Sequence, residues 1–198
     1  MRIPFTPPSD GQTHSYCVRC KLEALTLSSP GRYHCSKCNH SSDRAIIFDP
    51  KVVWWLDDTQ EYWHETAGIF VRRKEKYLFF ERVKTPYGLT IPAGHLDVGE
   101  TSAEAAIREL QEETGLMANK LTLLATDNIE GDRCRRGADA HRWHVFATDA
   151  SPRAEIRVNA TEGQWPTWLT LHEALMHTLT PAVRYVIARY RNLIAAVK

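Results

Sequence analysis

Three glutamates lie close together in one short segment of the chain, at Glu109, Glu112 and Glu113. On a helix, which advances about 100° per residue, their side chains fall within a sector of roughly 100°. Like charges at this spacing repel and destabilise an exposed helix by a few tenths of a kcal/mol. A solvated acidic face is the simplest interpretation. A bound cation explains the cluster better, because dense hard oxygen ligands suit Mg²⁺ or Mn²⁺.

A helix from about Ser102 to Thr114 must position these carboxylates. Thr101 and Glu104 have the spacing of a capping box at its start, and Gly115 stands where a left-handed C-terminal cap is expected. An apolar stripe runs beside the acidic sector and comprises Ala103, Ala106, Leu110 and, at its edge, Ile107. The pattern therefore predicts a helix that packs one side on a core and presents three carboxylates on the adjoining side.

A second group with metal-binding chemistry consists of four cysteines near the N-terminus, Cys17, Cys20, Cys35 and Cys38. Two Cys-x-x-Cys pairs at this separation are typical of a tetrahedral zinc site. A redox pair or two disulfides are the alternatives. We find no secretory signal and expect a cytoplasmic protein, in which persistent disulfides are disfavoured. Cys134 stands outside the pattern and is interpreted as a thiol near a loop.

The segment Gly94–Leu116 resembles the Nudix box in every defining position, as Gly94-x5-Glu100-x7-Arg108-Glu109-Leu110-x-Glu112-Glu113-x-Gly115-Leu116. The resemblance implies an α/β fold, an α/β/α sandwich around a mixed sheet. It also implies hydrolysis of the pyrophosphate linkage in a nucleoside diphosphate linked to another moiety, in a nucleotide, dinucleotide or nucleotide sugar, with Mg²⁺ or Mn²⁺ as cofactor.

The same resemblance assigns roles to individual side chains. Glu112 and Glu113 match the principal metal ligands, and Glu109 matches a third ligand or the base that deprotonates water. Ala93 would contribute its backbone carbonyl to the metal. The residues that would support these ligands are Arg108, which orients a glutamate, Glu100, and Gly94, which lets the loop turn sharply.

Later segments add weaker candidates. Glu162 lies in a Glu-Gly-Gln stretch similar to that of MutT-like members. It is a candidate further metal ligand or base, and the alternative is an ordinary loop glutamate. The weaker candidates for the same role are Glu130, Asp132 and Glu155. Arg133, Arg135 and Arg136 lie in a loop that is either a phosphate-binding lid or a solvated turn. Three histidines, His95, His141 and His144, fit structural and catalytic roles equally well.

The chain divides into four predicted parts: a flexible leader at 1–15, a zinc ribbon at 16–45, a connector at 46–62 and the Nudix domain at 63–198. Strands are expected at 68–71, 77–83, 121–125, 143–147 and 165–171. Further helices are expected to begin at Thr170 and at Pro181, the second after a Thr-Pro pair.

Charge and composition exclude several classes of function. The 198 residues carry 25 Lys and Arg against 24 Asp and Glu, a net charge of +1, and no apolar run approaches membrane-spanning length. Residues 1–50 contain six basic and four acidic residues, a net charge of +2. Four thiolates and a Zn²⁺ would lower the net charge of this segment to about zero, which disfavours phosphate binding. Binding to a membrane is excluded, nucleic-acid binding is disfavoured, and the ribbon is interpreted as a stabilising or interface-forming module.

The substrate stays open at this level. A zinc ribbon before a Nudix domain is similar to the NADH pyrophosphatase branch, and homodimerisation through the ribbon is plausible by that resemblance. The Ser-Gln-Pro-Trp-rich motif of that branch is missing, as are the proline and tyrosine typical of the ADP-ribose and diadenosine polyphosphate branches. The remaining alternatives are a non-catalytic nucleotide-sensing regulator and an RNA 5′-end pyrophosphohydrolase.

Overall fold

The computed structural model describes residues 1–29, 31–118, 120–151 and 153–196. Within these ranges, no helix combines the length and apolar character needed to cross a membrane. In chain order the elements are β1 (His14–Tyr16), β2 (Leu25–Ser29), β3 (Arg32–Cys35), β4 (Ser41–Ser42), β5 (Ile46–Phe48), β6 (Trp54–Leu56), β7 (Tyr62–Arg73), β8 (Lys76–Arg82), β9 (Leu89–Thr90), β10 (Ala93–His95), α1 (Ser102–Thr114), β11 (Thr122–Glu130), β12 (Ala140–Asp149), β13 (Gly163–Leu169), α2 (Leu171–Leu175) and α3 (Pro181–Ala196).

A mixed sheet forms the centre of the molecule, in the order β11-β12-β7-β8-β13. Strand β12 runs parallel to β7, whereas β8, β10 and β6 pair with β7 antiparallel. Alternate residues of β7 pack on opposite faces: Ile69 lies in the core beside α1, and Phe70 lies in the core beside α3. The predicted α/β sandwich with a mixed sheet is confirmed.

Helix α1 begins and ends where its sequence predicts. Thr101 accepts a hydrogen bond from the backbone N–H of Glu104, whose carboxylate accepts one in return, and Gly115 ends the helix in the left-handed conformation with φ 71°. Leu110 is fully buried, as the apolar stripe requires. Glu113 is only 5% exposed, so the predicted acidic face is partly interior.

The first residues of the segment predicted as a flexible leader pack against the rest of the molecule. Ile3 is fully buried, and its N–H donates to the carbonyl of Gln60 at 2.9 Å. The terminal ammonium pairs with Glu61. An apolar residue at position 3 completes a separate core formed by Ile3, Tyr16, Ile46, Phe48, Tyr62 and Ala138.

The four-cysteine segment has its own three-stranded sheet, β2-β3-β4. Strand β1 pairs with β5, which lies in the predicted connector, and β6 of that connector extends the central sheet. The boundaries 1–15, 16–45, 46–62 and 63–198 stay predictions, and the last boundary, residue 198, lies outside the described residues.

Candidate active site

Glu113 is held at the end of α1 against strand β10. Its Oε2 accepts a hydrogen bond from the backbone N–H of Ala93 at 2.9 Å. The same glutamate uses its backbone carbonyl to accept a hydrogen bond from the N–H of Asn159 at 2.9 Å. These contacts fix both the helix end and the carboxylate, and they place Ala93 next to the acidic cluster, where metal binding by its carbonyl stays a prediction.

Glu109 lies under Gly94, and the two positions depend on each other. A Cβ atom at residue 94 would lie 2.0 Å from Oε1 of Glu109, far inside van der Waals contact. The carboxylate therefore occupies the space that any other residue at this position would fill. Glycine at 94 serves this close approach of the carboxylate rather than a positive φ, which its backbone does not adopt.

Arg108 connects the box loop to the acidic helix. Its Nε and Nη2 donate to the two oxygens of Glu100, each at 2.9 Å, and Nη2 also donates to the carbonyl of His95 at 3.0 Å. Nη1 donates to Oε1 of Glu109 at 2.6 Å and lies 3.6 Å from Oε2 of Glu112. A planar guanidinium with five donors suits this task, because it can hold two carboxylates and a carbonyl in one geometry.

The electrostatics of the cluster favour a cation. Burial, followed by the charge of Glu109, raises the pKa of Glu113 to about 8. Burial likewise raises the pKa of Glu109, against the opposing effect of Arg108. Glu112 has a side chain that is 60% exposed and extends the cluster toward solvent. Two buried carboxylates with raised pKa values are costly to ionise together, and a divalent ion removes that cost.

Glu162 reaches the same cavity from the segment before β13. Its Oε1 accepts a hydrogen bond from Nζ of Lys84 at 2.6 Å, and its charge contributes to the raised pKa of Glu113. Of its rivals, Asp132 also lines the cavity, whereas Glu130 and Glu155 are exposed and are not among its described lining residues. The structure thus brings Glu162 together with the box glutamates.

The cavity has a volume of about 640 Å³ and is lined by both acidic and basic residues. Its basic residues are Arg82, Lys84, Arg133, Arg135 and Arg136. The four-cysteine module contributes Tyr33 to the wall, and residues just before that module contribute Thr13 and Ser15. Sequence reasoning missed Arg82 and Lys84, which strand β8 and the residues after it carry without any recognisable motif.

The three loop arginines differ in how they are held. Nη1 of Arg136 donates to Asp49 at 2.8 Å, and Arg135 donates to the carbonyl of Asp43 at 3.4 Å. Arg133 has a side chain that is 69% exposed and lies 3.8 Å from Asp139. Phosphate binding by these residues stays a prediction, with Arg133 the most accessible of the three.

The four N-terminal cysteines converge as their spacing predicts. Their sulfur atoms all lie within 4.8 Å of one another, and the Cys17–Cys38 and Cys20–Cys35 sulfurs are each 3.6 Å apart. Tetrahedral zinc with Zn–S bonds of about 2.3 Å requires separations of about 3.8 Å. The cluster is therefore compatible with Zn²⁺.

Cys134, interpreted from the sequence as an isolated loop thiol, instead lies beside three imidazoles, those of His64, His95 and His141. His144 is outside this group, and its Nε2 contacts Glu65 at 2.6 Å. Burial lowers the pKa of His141, but hydrogen bonds with Asp132 and Cys134 raise it to about 10. No local spacing signals this cluster, because its members come from four separate segments.

Known proteins share this fold and sequence pattern. The chain is 36% identical over 85 residues to bis(5′-nucleosyl)-tetraphosphatase of Mus musculus, covering 43% of this chain and 57% of that protein. It is 30% identical over 105 residues to 8-oxo-dGTP diphosphatase of Escherichia coli, covering 53% and 75%.

The chain thus spans little more than half the length of the mouse relative. A MutT Nudix hydrolase structure from Burkholderia pseudomallei superposes with a TM-score of 0.56 at 24% identity, covering 65% of this chain and 98% of that one, a likeness of fold. The NUDIX domain model matches residues 62–190, and the chain therefore belongs to the Nudix family.

Proposed function

We propose that this protein is a Mg²⁺- or Mn²⁺-dependent hydrolase of the pyrophosphate linkage in a nucleoside diphosphate joined to another moiety. The observation that carries the proposal is the convergence of Glu109, Glu113 and Glu162 in one cavity that also contains five basic residues. Such a cavity accepts an anionic phosphate chain together with a cation. The two curated relatives are named as phosphatases of nucleotides, which supports the same substrate class.

The residues present fit a hard divalent cation. Glu109, Glu112, Glu113 and the carbonyl of Ala93 would hold it, and Glu162 would add a further ligand or a base. The buried hydroxyl of Thr66 lines the same cavity and has no hydrogen-bond partner among the described residues, which leaves it free for a ligand or water. When bound, the ion neutralises phosphate charge and lowers the pKa of a coordinated water.

The chain's own groups perform the remaining tasks. Arg108 fixes the orientation of Glu109 through its pairing with Glu100. Lys84 holds Glu162 and, as a cavity residue, would place a positive charge beside a bound phosphate chain. Glu109 or Glu162 would accept the proton released by the attacking water. Their fixed placement matters, because reaction rate depends steeply on the alignment of the nucleophile and the leaving group.

The test replaces Glu113 with glutamine and measures turnover on a nucleotide panel with Mg²⁺ or Mn²⁺. The panel contains dinucleotides, nucleotide sugars, nucleoside triphosphates and capped RNA, with product identification. We expect Glu113→Gln to lower kcat by at least about 100-fold with an unchanged circular dichroism spectrum. Glu155→Gln is the matched control, because Glu155 is exposed and paired with Arg157. Full activity of Glu113→Gln would overturn the proposal.

The substrate panel also separates the alternatives. Release of pyrophosphate or a capped nucleotide from an RNA 5′ end identifies the RNA-processing function. Nucleotide binding without turnover on any member identifies a sensor. Hydrolysis of a free nucleotide supports the proposed enzyme and names its substrate.

We further assign structural Zn²⁺ to Cys17, Cys20, Cys35 and Cys38. The knuckles repeat the same local geometry, since Lys21 and Asn39, each four positions after the first cysteine of its pair, both adopt positive φ. Cys20→Ser should release one zinc ion per chain, measured by elemental analysis of protein purified without chelator. Unchanged zinc content would refute the assignment.

A further inference from the structure

A second group of potential metal ligands, three histidines and one cysteine, lies against one face of the central sheet. His64 on β7, His95 on β10, Cys134 in the loop before β12 and His141 on β12 place their ligand atoms within 4.8 Å of one another. The His64 ring centroid is 4.6 Å from that of His95 and 5.6 Å from that of His141. The Sγ of Cys134 lies 3.6 Å from Nδ1 of His64 and within 4.8 Å of a ring nitrogen of each of the other two histidines.

The sheet register produces this convergence. His141 stands directly opposite His64 in the parallel β7–β12 pair, and His95 stands opposite Thr66, two residues farther along β7. Residues opposite each other, or two apart on one strand, project from the same face. The three imidazoles therefore project from one face of the sheet, where the loop delivers Cys134.

The surroundings of His64 fix which nitrogen faces the group. The hydroxyl of Tyr62 donates to the carbonyl of Ile47 at 2.5 Å and has its other contact with Nε2 of His64 at 2.7 Å. Because that hydroxyl has already donated its proton, it accepts one from Nε2–H. Nδ1 of His64 is then unprotonated and points at the sulfur of Cys134, 3.6 Å away.

His141 is oriented in the same way by Asp132. Its Nδ1 lies 2.9 Å from the carbonyl oxygen of Asp132 and 3.2 Å from the carboxylate Oδ2. Both are acceptors, so Nδ1 carries the proton and the other nitrogen, Nε2, turns toward the group. The carboxylate is itself fixed by Nε1–H of Trp143 at 2.8 Å. A buried carboxylate behind a histidine is the usual support for a metal-bound imidazole.

We propose that His64, His95, Cys134 and His141 bind a Zn²⁺ ion, distinct from the four-cysteine zinc and from the Nudix cation. Zinc suits a set of three imidazole nitrogens and one thiolate, because it prefers four such ligands in a tetrahedron. Four protein ligands close the coordination sphere, which makes the site structural. Magnesium does not suit it, since that ion prefers oxygen ligands.

The position of this site gives it a role in assembling the cavity. Cys134 lies in the loop that carries Arg135 and Arg136, and the carbonyls of those two residues accept hydrogen bonds from the N–H groups of Ala45 and Ile47 at 3.0 and 3.1 Å. A metal bond to Cys134 therefore fastens the central sheet to the N-terminal module through this loop. Loss of the ion should loosen the loop that brings Arg135 and Arg136 to the cavity while leaving the glutamates of α1 in place.

The first measurement is the metal content of protein purified without chelator, by inductively coupled plasma mass spectrometry. Cys134→Ser should hold about one zinc ion fewer per chain than the wild type. His177→Gln is the matched control, since His177 is exposed and belongs to neither ligand group, and the zinc content of this variant should equal that of the wild type. The comparison is independent of whether the four-cysteine site is loaded. Equal zinc in wild type and Cys134→Ser would overturn the proposal.

A second measurement needs no variant and covers the case in which Cys134→Ser does not fold. Zinc-edge X-ray absorption of the full chain reports the average ligand set. With both sites filled we expect about five sulfurs at about 2.3 Å and three imidazole nitrogens at about 2.0 Å per two ions. A purely sulfur shell would overturn the proposal, as would copper or iron in place of zinc. Hydrolytic activity is not used, so the outcome is independent of the proposed enzyme function.

Discussion

Replacing Gly94 with alanine tests how closely the box loop and the acidic helix depend on each other. The new Cβ would meet Oε1 of Glu109 at 2.0 Å and Cδ at 2.1 Å, whereas real Cβ contacts are essentially never shorter than 3.0 Å. The carboxylate must therefore retreat by at least about 1 Å, and a misplacement of that size can lower a reaction rate about 100-fold. Because the displaced atoms end a flexible side chain, we expect the free energy of unfolding to fall by only about 1 kcal/mol.

The assay measures kcat/KM on the best substrate of the nucleotide panel, with Mg²⁺ binding followed by calorimetry. Gly99→Ala is the control from the same loop. Gly99 has φ 89°, and a Cβ added there would meet no atom within 4 Å, so its replacement should cost about 1 kcal/mol of backbone strain and leave activity unchanged. If Gly94→Ala retains wild-type kcat/KM, or if Gly99→Ala loses as much, the close-approach argument is refuted.

Three other perturbations have defined outcomes. Arg108→Lys removes the paired hydrogen bonds to Glu100. In steady-state kinetics this variant should lower kcat about 10-fold or more, with little change in KM. A change in KM alone would contradict a positioning role for Arg108. Burial raises the folded pKa of Glu113 from 4.5 to about 8, so the unfolded chain binds fewer protons between those pH values. Without added magnesium, the free energy of unfolding measured in urea should fall as the pH rises from about 4.5 to 8. Glu113→Gln should reduce that slope, and an unchanged slope would contradict the assignment. Thr101→Ala removes the side-chain cap bonded to Glu104 and should cost about 1 kcal/mol in urea unfolding; an unchanged midpoint would show that the cap is not stabilising.

The sequence predicts helix α1 and the Nudix glutamates because both depend on local spacing. A helix fixes the angle between residues three and four positions apart, so the relation of Glu109, Glu112 and Glu113 follows from their numbers alone. The capping residues Thr101 and Gly115 mark its ends for the same reason. The four N-terminal cysteines are likewise recognisable, since each pair closes a tight turn on a common ion.

The burial of Ile3 and Glu113 was not predictable in this way. The local sequence around an apolar residue near a chain end, or around a glutamate on a helix, is compatible with either a buried or an exposed side chain. Only the neighbouring elements decide between the two: the aromatic core around Tyr62 covers Ile3, and strand β10 supplies the N–H that accommodates the carboxylate of Glu113.

What the sequence by itself determined is the family, the α/β class and the identity of the residues that carry two metal-binding patterns. What only the tertiary structure decided is that His64, His95, Cys134 and His141 meet, and that Lys84 and Glu162 form a pair within the cavity. The physical reason is that contacts between distant segments depend on strand order and register. Those are set by the packing of the whole sheet between its helices, and no spacing within one segment records them.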